Sequence, residues 1–143
     1  MKIIRNLTAR RCSVPQSFGI TIPPNVISGE FMRRGEADWA VLCSRNGFSS
    51  ILIFRAGSVK SVSEIAKVAE ITFLQTIDGN GDIGFSRPIC VVGRNYIRQH
   101  YRWYGGPKPP RINHQGINDV FVGKASTVLY YHSRKWLKLQ GAD

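Results

Sequence analysis

Two apolar runs separated by an Asn-Gly pair constrain this chain more than any other feature. Residues 38–44 read Asp-Trp-Ala-Val-Leu-Cys-Ser and residues 49–54 read Ser-Ser-Ile-Leu-Ile-Phe, with Asn46-Gly47 between them. Asn and Gly tolerate the positive φ angles of a type I′ turn, whose twist matches that of paired strands. A hairpin with one wet face alternates apolar and polar residues, whereas these arms are almost continuously apolar. The hairpin is therefore expected to be central and covered on both faces. The 143 residues suit one domain, and an apolar share of 43% argues against disorder. No apolar run approaches the roughly 18 residues of a membrane-spanning helix.

Around the hairpin the reading is mostly β. Residues 1–25 read as an irregular N-terminal segment punctuated by Pro15 and Pro23-Pro24, and residues 26–143 as a single β-rich domain. Met1-Lys2-Ile3-Ile4-Arg5-Asn6 has the charge of a signal peptide without the apolar stretch that should follow. Ser61-Val62-Ser63-Glu64 matches a capping box, and Ile65, Val68 and Ala69 follow at helical spacing, so a short helix is expected to about Glu70. Strand character returns at 71–77, followed by a turn at 78–82 and a short strand over 87–92. In 94–104, Ile97, Tyr101 and Tyr104 form a helical stripe that Gly105-Gly106 would end. Pro107, Pro109 and Pro110 then forbid regular structure, and strands are expected over 117–122, 126–131 and 135–139. The sum is a mainly β (α+β) fold: one compact domain of antiparallel hairpins with one or two short helices, too short for a complete propeller.

Charge narrows the function classes. Twenty Lys and Arg against nine Asp and Glu give a net charge of +11. No acid occurs from Ile83 to Asn118, where Arg87, Arg94, Arg98, Arg102, Lys108 and Arg111 all fall. The first 29 residues are also acid-free and carry Lys2, Arg5, Arg10 and Arg11. One strongly positive face is expected, suited to an acidic protein or another polyanion. On a helix, Arg94, Arg98 and Arg102 recur every four residues as a basic ridge among aromatics. Arginine pairs with carboxylates and phosphates through a bidentate fork, and Arg, Tyr and Trp dominate protein interfaces. Arg94, Arg98, Tyr101, Arg102, Trp103, Lys108, Arg111 and His114 are the candidate partner-binding residues. An acidic protein comes first and nucleic acid second, because exposed aromatics also stack on unpaired bases. The competing reading is an amphipathic helix with Ile97, Tyr101 and Tyr104 packed inward and its arginines merely solvated.

Catalytic and metal-binding patterns are incomplete. Asp78, Asn80 and Asp82 have the spacing that opens a calcium loop, but Ile83 and Ile89 stand where an EF-hand needs Gly and Glu. A Gly-rich turn explains the same residues, so neither metal nor cofactor is expected. A small hydrolase using His114 and Asp119 is the third reading; no G-x-S-x-G elbow accompanies them, and His114 suits a hydrogen bond at the Gly116 turn. The cysteines Cys12, Cys43 and Cys90 include no C-x-x-C pair. In an oxidising compartment Cys12 and Cys43 would pair with Cys90 buried; in the cytosol all three would stay reduced. The count does not choose.

Two segments share a plan: Gly29-Glu30-Phe31, a loop with Gly35, Asp38-Trp39-Ala40-Val41 and the strand 51–54; then His114-Gln115-Gly116-Ile117, Asn118-Asp119-Val120-Phe121-Val122 and the strand 127–131. Asp38 and Asp119 lie 81 positions apart, about two propeller-blade periods. The plan resembles a degraded FG-GAP or VCBS repeat, in which a Gly-Asp-Phe lead precedes an acidic calcium loop. Glu30 replaces the Asp of that lead, and Arg33-Arg34 stand where the family places calcium-binding acids. With Cys12, Pro15-Gln16, Asn25-Val26-Ile27, residues 38–44 and Gly116-Ile117-Asn118-Asp119, the chain is similar to small uncharacterised bacterial proteins that tend to be exported. That resemblance implies an extracytoplasmic mature form and supports the Cys12–Cys43 pairing. The expected function is a non-enzymatic basic binding protein, in one form an inhibitor or immunity-type protein that plugs an enzyme cleft. The ligand and the oligomeric state stay open.

Overall fold

In the computed structural model, which describes residues 2–15, 25–76 and 81–141, the Asn-Gly hairpin is the centre of the molecule. Strand β2 (Asp38–Arg45) pairs antiparallel with β3 (Phe48–Phe54) from Arg45↔Phe48 to Trp39↔Phe54. Asn46 and Gly47 at the turn have φ of 52° and 77°, the left-handed pair that a type I′ turn requires. β1 (Val26–Gly29) and β4 (Val62–Ala69) flank the hairpin and complete a sheet of order β1-β2-β3-β4. After the two-stranded β5 (Leu74–Thr76) and β6 (Ile83–Phe85), a second four-stranded sheet contains β7 (Ile89–Val92), β8 (Gly116–Phe121), β9 (Ala125–His132) and β10 (Lys135–Gln140) in the order β10-β9-β8-β7. Every pairing is antiparallel.

The continuous apolarity of the hairpin arms now has its reason. Ala40, Leu42, Ile51 and Ile53 form one face and pack with Ile89, Ile117 and Leu129 of the second sheet. Val41, Cys43, Leu52 and Phe54 form the other, covered by Ile3 and Leu7 of helix α1 (Lys2–Ala9). The outer face of the second sheet, Val128, Tyr130 and Leu139, is covered in turn by Ile97 and Tyr101 of helix α2 (Arg94–Tyr104). The layers run helix, sheet, sheet, helix, with both apolar faces of each sheet occupied. Neither helix is long and apolar enough to cross a membrane.

Several local expectations change. The N-terminal segment is not irregular throughout, because α1 occupies Lys2–Ala9. Eight residues make a marginal helix in water, so it depends on its docked side chains Ile3 and Leu7. The Cys12–Cys43 disulfide and the Ser13↔Ser44 bridge fasten the following turn to β2. Pro23 and Pro24 lie outside the described residues. The helix expected over 61–70 is strand β4, paired from Phe54↔Val62 to Phe48↔Ala69. The Glu64 carboxylate accepts from Ser50 Oγ at 3.0 Å rather than closing a capping box. The open edge of β3 offers a whole row of backbone partners, which outweighs a local cap of about 1 kcal/mol. Cys90, expected in the core, is exposed on β7: Ile89 and Val91 face the core cluster, so strand alternation turns Cys90 outward.

Strand 71–77 shrinks to a 3₁₀ turn at Glu70–Phe73 followed by β5, while Ile77 and the Asp78–Asn80 part of the turn lie outside the described residues. Helix α2 and the three C-terminal strands form within two residues of their expected bounds.

Arg87, read with the surface cations, is instead wholly buried. Its Nε and Nη2 donate to the two oxygens of Asp119, each at 2.8 Å; Nη1 donates to Ser49 Oγ and Nη2 also to the Ala66 carbonyl, both at 2.9 Å. Phe73 stacks 4.6 Å from the guanidinium carbon. Removing one partner from such a buried pair strands a charge and typically costs about 3 to 5 kcal/mol. Asp119→Ala is expected to lower unfolding stability by that amount in urea titrations, whereas the double change Arg87→Met with Asp119→Leu recovers most of it. A cost below about 1 kcal/mol for Asp119→Ala, the range of an exposed pair, would contradict this assignment.

Candidate functional site

Helix α2 presents two faces. Ile97 and His100 are buried against the second sheet, while Arg94 and Arg98, one turn apart, stay exposed. The proline-rich connection after α2 returns to β8 and places Arg111 and His114 opposite that basic face. The end of β9 adds Tyr131 and His132, and Met32 enters from the loop between β1 and β2. Together these residues line a cavity of about 510 Å³ in which no Asp or Glu takes part. Arg94, Arg98 and Arg111 form no ion pair among the described residues.

The walls of this cavity are held from behind. The Gln115 backbone N–H donates to the Glu30 carbonyl at 2.7 Å, and Gln115 Oε1 accepts from the Glu30 N–H at 2.9 Å. Asp38, fully buried, accepts from the backbone N–H groups of Phe31 and Met32, each at 3.1 Å, and of Ala56 at 2.8 Å. A carboxylate with three backbone donors fixes the loop that delivers Met32. His114 is buried, and its Nδ1 donates to the Gln115 carbonyl at 2.9 Å, matching the expected hydrogen bond at the Gly116 turn.

Of the eight candidate binding residues, the structure brings Arg94, Arg98, Arg111 and His114 together. Arg102 does not join them: eight residues along an α-helix is about 80° away from the starting face. Arg102 and Trp103 are exposed outside the cavity, Trp103 by 61%. Tyr101 packs with the core beneath α2. Lys108 lines a second, apolar cavity of about 1010 Å³ between β4 and the β9–β10 pair, with Phe73, Tyr104, Pro107 and Trp136. His132 and Met32 escaped the sequence reading. His132 sits at the end of a strand whose only local signal is apolar alternation, and its proximity to Arg98 arises from tertiary packing.

The hydrolase pairing finds no support in this geometry. Both Asp119 oxygens are engaged by Arg87, and Asp119 lines the second cavity while His114 lines the first. Among the described residues no group of three or more His, Cys, Asp or Glu is placed to hold a metal ion. No protein-family model matches the chain, and neither curated proteins nor solved structures include a significant match.

His100 anchors the far side of the same helix. It is 1% exposed, neither ring nitrogen has a hydrogen-bond partner among the described residues, and the Tyr104 ring lies 4.8 Å away. Burial lowers its pKa, because the imidazolium would lose its hydration. A histidine whose folded pKa is depressed protonates more readily when unfolded. Its stabilising contribution is therefore complete above the unfolded value of about 6.5 and falls as the pH drops below it. Unfolding stability is expected to decline on the acid side of that value, by at most about 1.4 kcal/mol per pH unit from this one group. His100→Phe, which keeps a ring in place, should flatten the decline. Identical acid slopes for the two proteins would reject His100 as the source.

Proposed function

We propose that this is a non-enzymatic binding protein that receives an acidic group of a protein partner in the Arg94–Arg98–Arg111–His114 cavity. The observation that carries the reading is the convergence of three arginines, without ion-pair partners among the described residues, from a helix and a separate loop, on one acid-free recess. Three guanidinium groups offer far more donors than their immediate surroundings use, and a carboxylate satisfies them two at a time. Arg94, Arg98 and Arg111 are all exposed, so salt should screen their pull on a partner. A basic recess of about 510 Å³ suits a projecting acidic side chain, as an inhibitor or immunity-type protein would meet on its target. Nucleic acid fits less well, since Arg102 and Trp103, the natural stacking pair, lie outside the cavity.

Binding of poly-L-glutamate at low ionic strength, followed by calorimetry, tests the reading. The triple variant Arg94→Ala, Arg98→Ala, Arg111→Ala should bind at least about tenfold more weakly, a loss of about 1.4 kcal/mol. The triple change Arg102→Ala, Lys108→Ala, Arg134→Ala removes the same charge and should change affinity by less than about threefold. Equal losses for the two variants would reduce the effect to net charge. A single-stranded oligonucleotide that binds while polyglutamate does not would replace the protein partner with nucleic acid.

A further inference from the structure

The tautomer of His114 gives the cavity a property that its arginines alone would not confer. The Gln115 carbonyl can only accept, so His114 Nδ1 carries the ring hydrogen in their 2.9 Å contact. The other nitrogen, Nε2, has no hydrogen-bond partner among the described residues, and the residue lines the cavity. In the neutral ring Nε2 is therefore an acceptor with its lone pair free. An oxyanion brought in by Arg94 and Arg98 from α2 and Arg111 from the loop would meet that lone pair unfavourably. Once Nε2 takes a proton from solvent, the ring becomes a fourth cationic donor with both N–H groups used.

We propose that the cavity is a proton-coupled oxyanion site, in which binding of an oxyanion draws one proton onto His114 Nε2. The proposal rests on the acidic-partner reading above and adds its regulation: the partner is held more tightly in acid than at neutral pH. By reciprocity, whatever factor the proton adds to oxyanion affinity, the oxyanion adds to proton affinity at His114. No Asp or Glu lines the cavity beside His114. Arg94, Arg98 and Arg111 supply its positive charge, and Met32 brings none. His132 is the second histidine that lines the cavity, so the two must be distinguished by substitution. A bound oxyanion favours a cation beside it, which makes the proton and the anion cooperative.

Sulfate is the probe of choice, because its charge is constant over this range and any pH dependence belongs to the protein. Calorimetric titration of the wild type is expected to show affinity at about pH 5.5 exceeding that at pH 8 by about fivefold or more, with proton uptake on binding. His114→Gln places a permanent amide near the Nε2 position and should bind sulfate with little pH dependence, while His132→Gln keeps the wild-type dependence. Nitrogen-15 NMR of the free neutral protein should show His114 protonated at Nδ1. Poly-L-glutamate competed off by sulfate would assign the oxyanion to the acidic partner; sulfate binding without competition would assign the same site to a free anion. Sulfate affinity equal at both pH values would overturn the proton coupling and leave the acidic-partner reading standing. No sulfate binding at either pH would overturn both. A pH dependence that survives in His114→Gln and vanishes in His132→Gln would overturn the assignment to His114, as would an Nε2-protonated neutral ring.

Discussion

A buried arginine ties the two sheets together. Arg87 precedes β7 of the second sheet and binds Asp119 on β8 of that sheet, yet it also donates to Ser49 on β3 and to the Ala66 carbonyl on β4 of the first. Taking a guanidinium fully out of water costs several kcal/mol unless its donors are met, so the packing of one sheet on the other is bound to this one geometry. The backbone bends to comply. Ala66 has a φ of 52°, beside a register shift of the β3–β4 pair between Ser49 and Ile51, and its carbonyl is turned to the arginine. A β-bulge is the usual way in which a strand re-aims one group without losing its ladder. The brace also commits Asp119 chemically, because both its oxygens hold the arginine.

With the sheets placed, the cavity follows at their common end. Gly116 opens β8, and a Cβ there would stand 2.7 Å from the Leu129 carbonyl and 3.1 Å from Ile97 Cδ1. Only glycine lets α2 seat its apolar face so close to the strand while Arg94 and Arg98 stay outside. Across the seam, a Cβ on Gly29 would meet the Phe31 ring at 2.8 Å and Gln115 Oε1 at 2.9 Å. The Glu30–Gln115 bonds therefore need that glycine, and they bring Met32 of the first sheet's loop against His114 of the second. Core burial, two close backbone approaches and one buried aspartate, Asp38, together position a basic site on the surface.

How much of this was legible depended on whether the governing interaction was local. The central hairpin was readable because Asn46-Gly47 and two apolar arms act within about 17 residues, and the mainly β class followed from it. Helix α2 was readable from the Ile97–Tyr101–Tyr104 stripe and its glycine stop. Strand β4 was not, because Ser61 and Glu64 offer a plausible local cap while the stronger demand comes from the edge of β3. Arg87 counted toward a positive face in the linear charge pattern, since nothing near it reveals that Asp119, 32 positions on, will enclose it. The arginine ridge was half right. Arg94 and Arg98 share a face, helical rotation carries Arg102 away, and Arg111 with His114 replaces it from a proline-rich loop of no periodic pattern.

On the proposed reading, Arg94, Arg98 and Arg111 act as one oxyanion receptor while the other cations, though equally charged, do not. Nitrogen-15 NMR of the arginine Nε–H groups during a poly-L-glutamate titration tests it most directly, since each guanidinium reports separately. The largest shifts are expected at Arg94, Arg98 and Arg111, with Arg102 and Arg134 little changed and Arg87 silent in its buried pair. Shifts spread evenly over the exposed arginines, or greatest at Arg102, would contradict it.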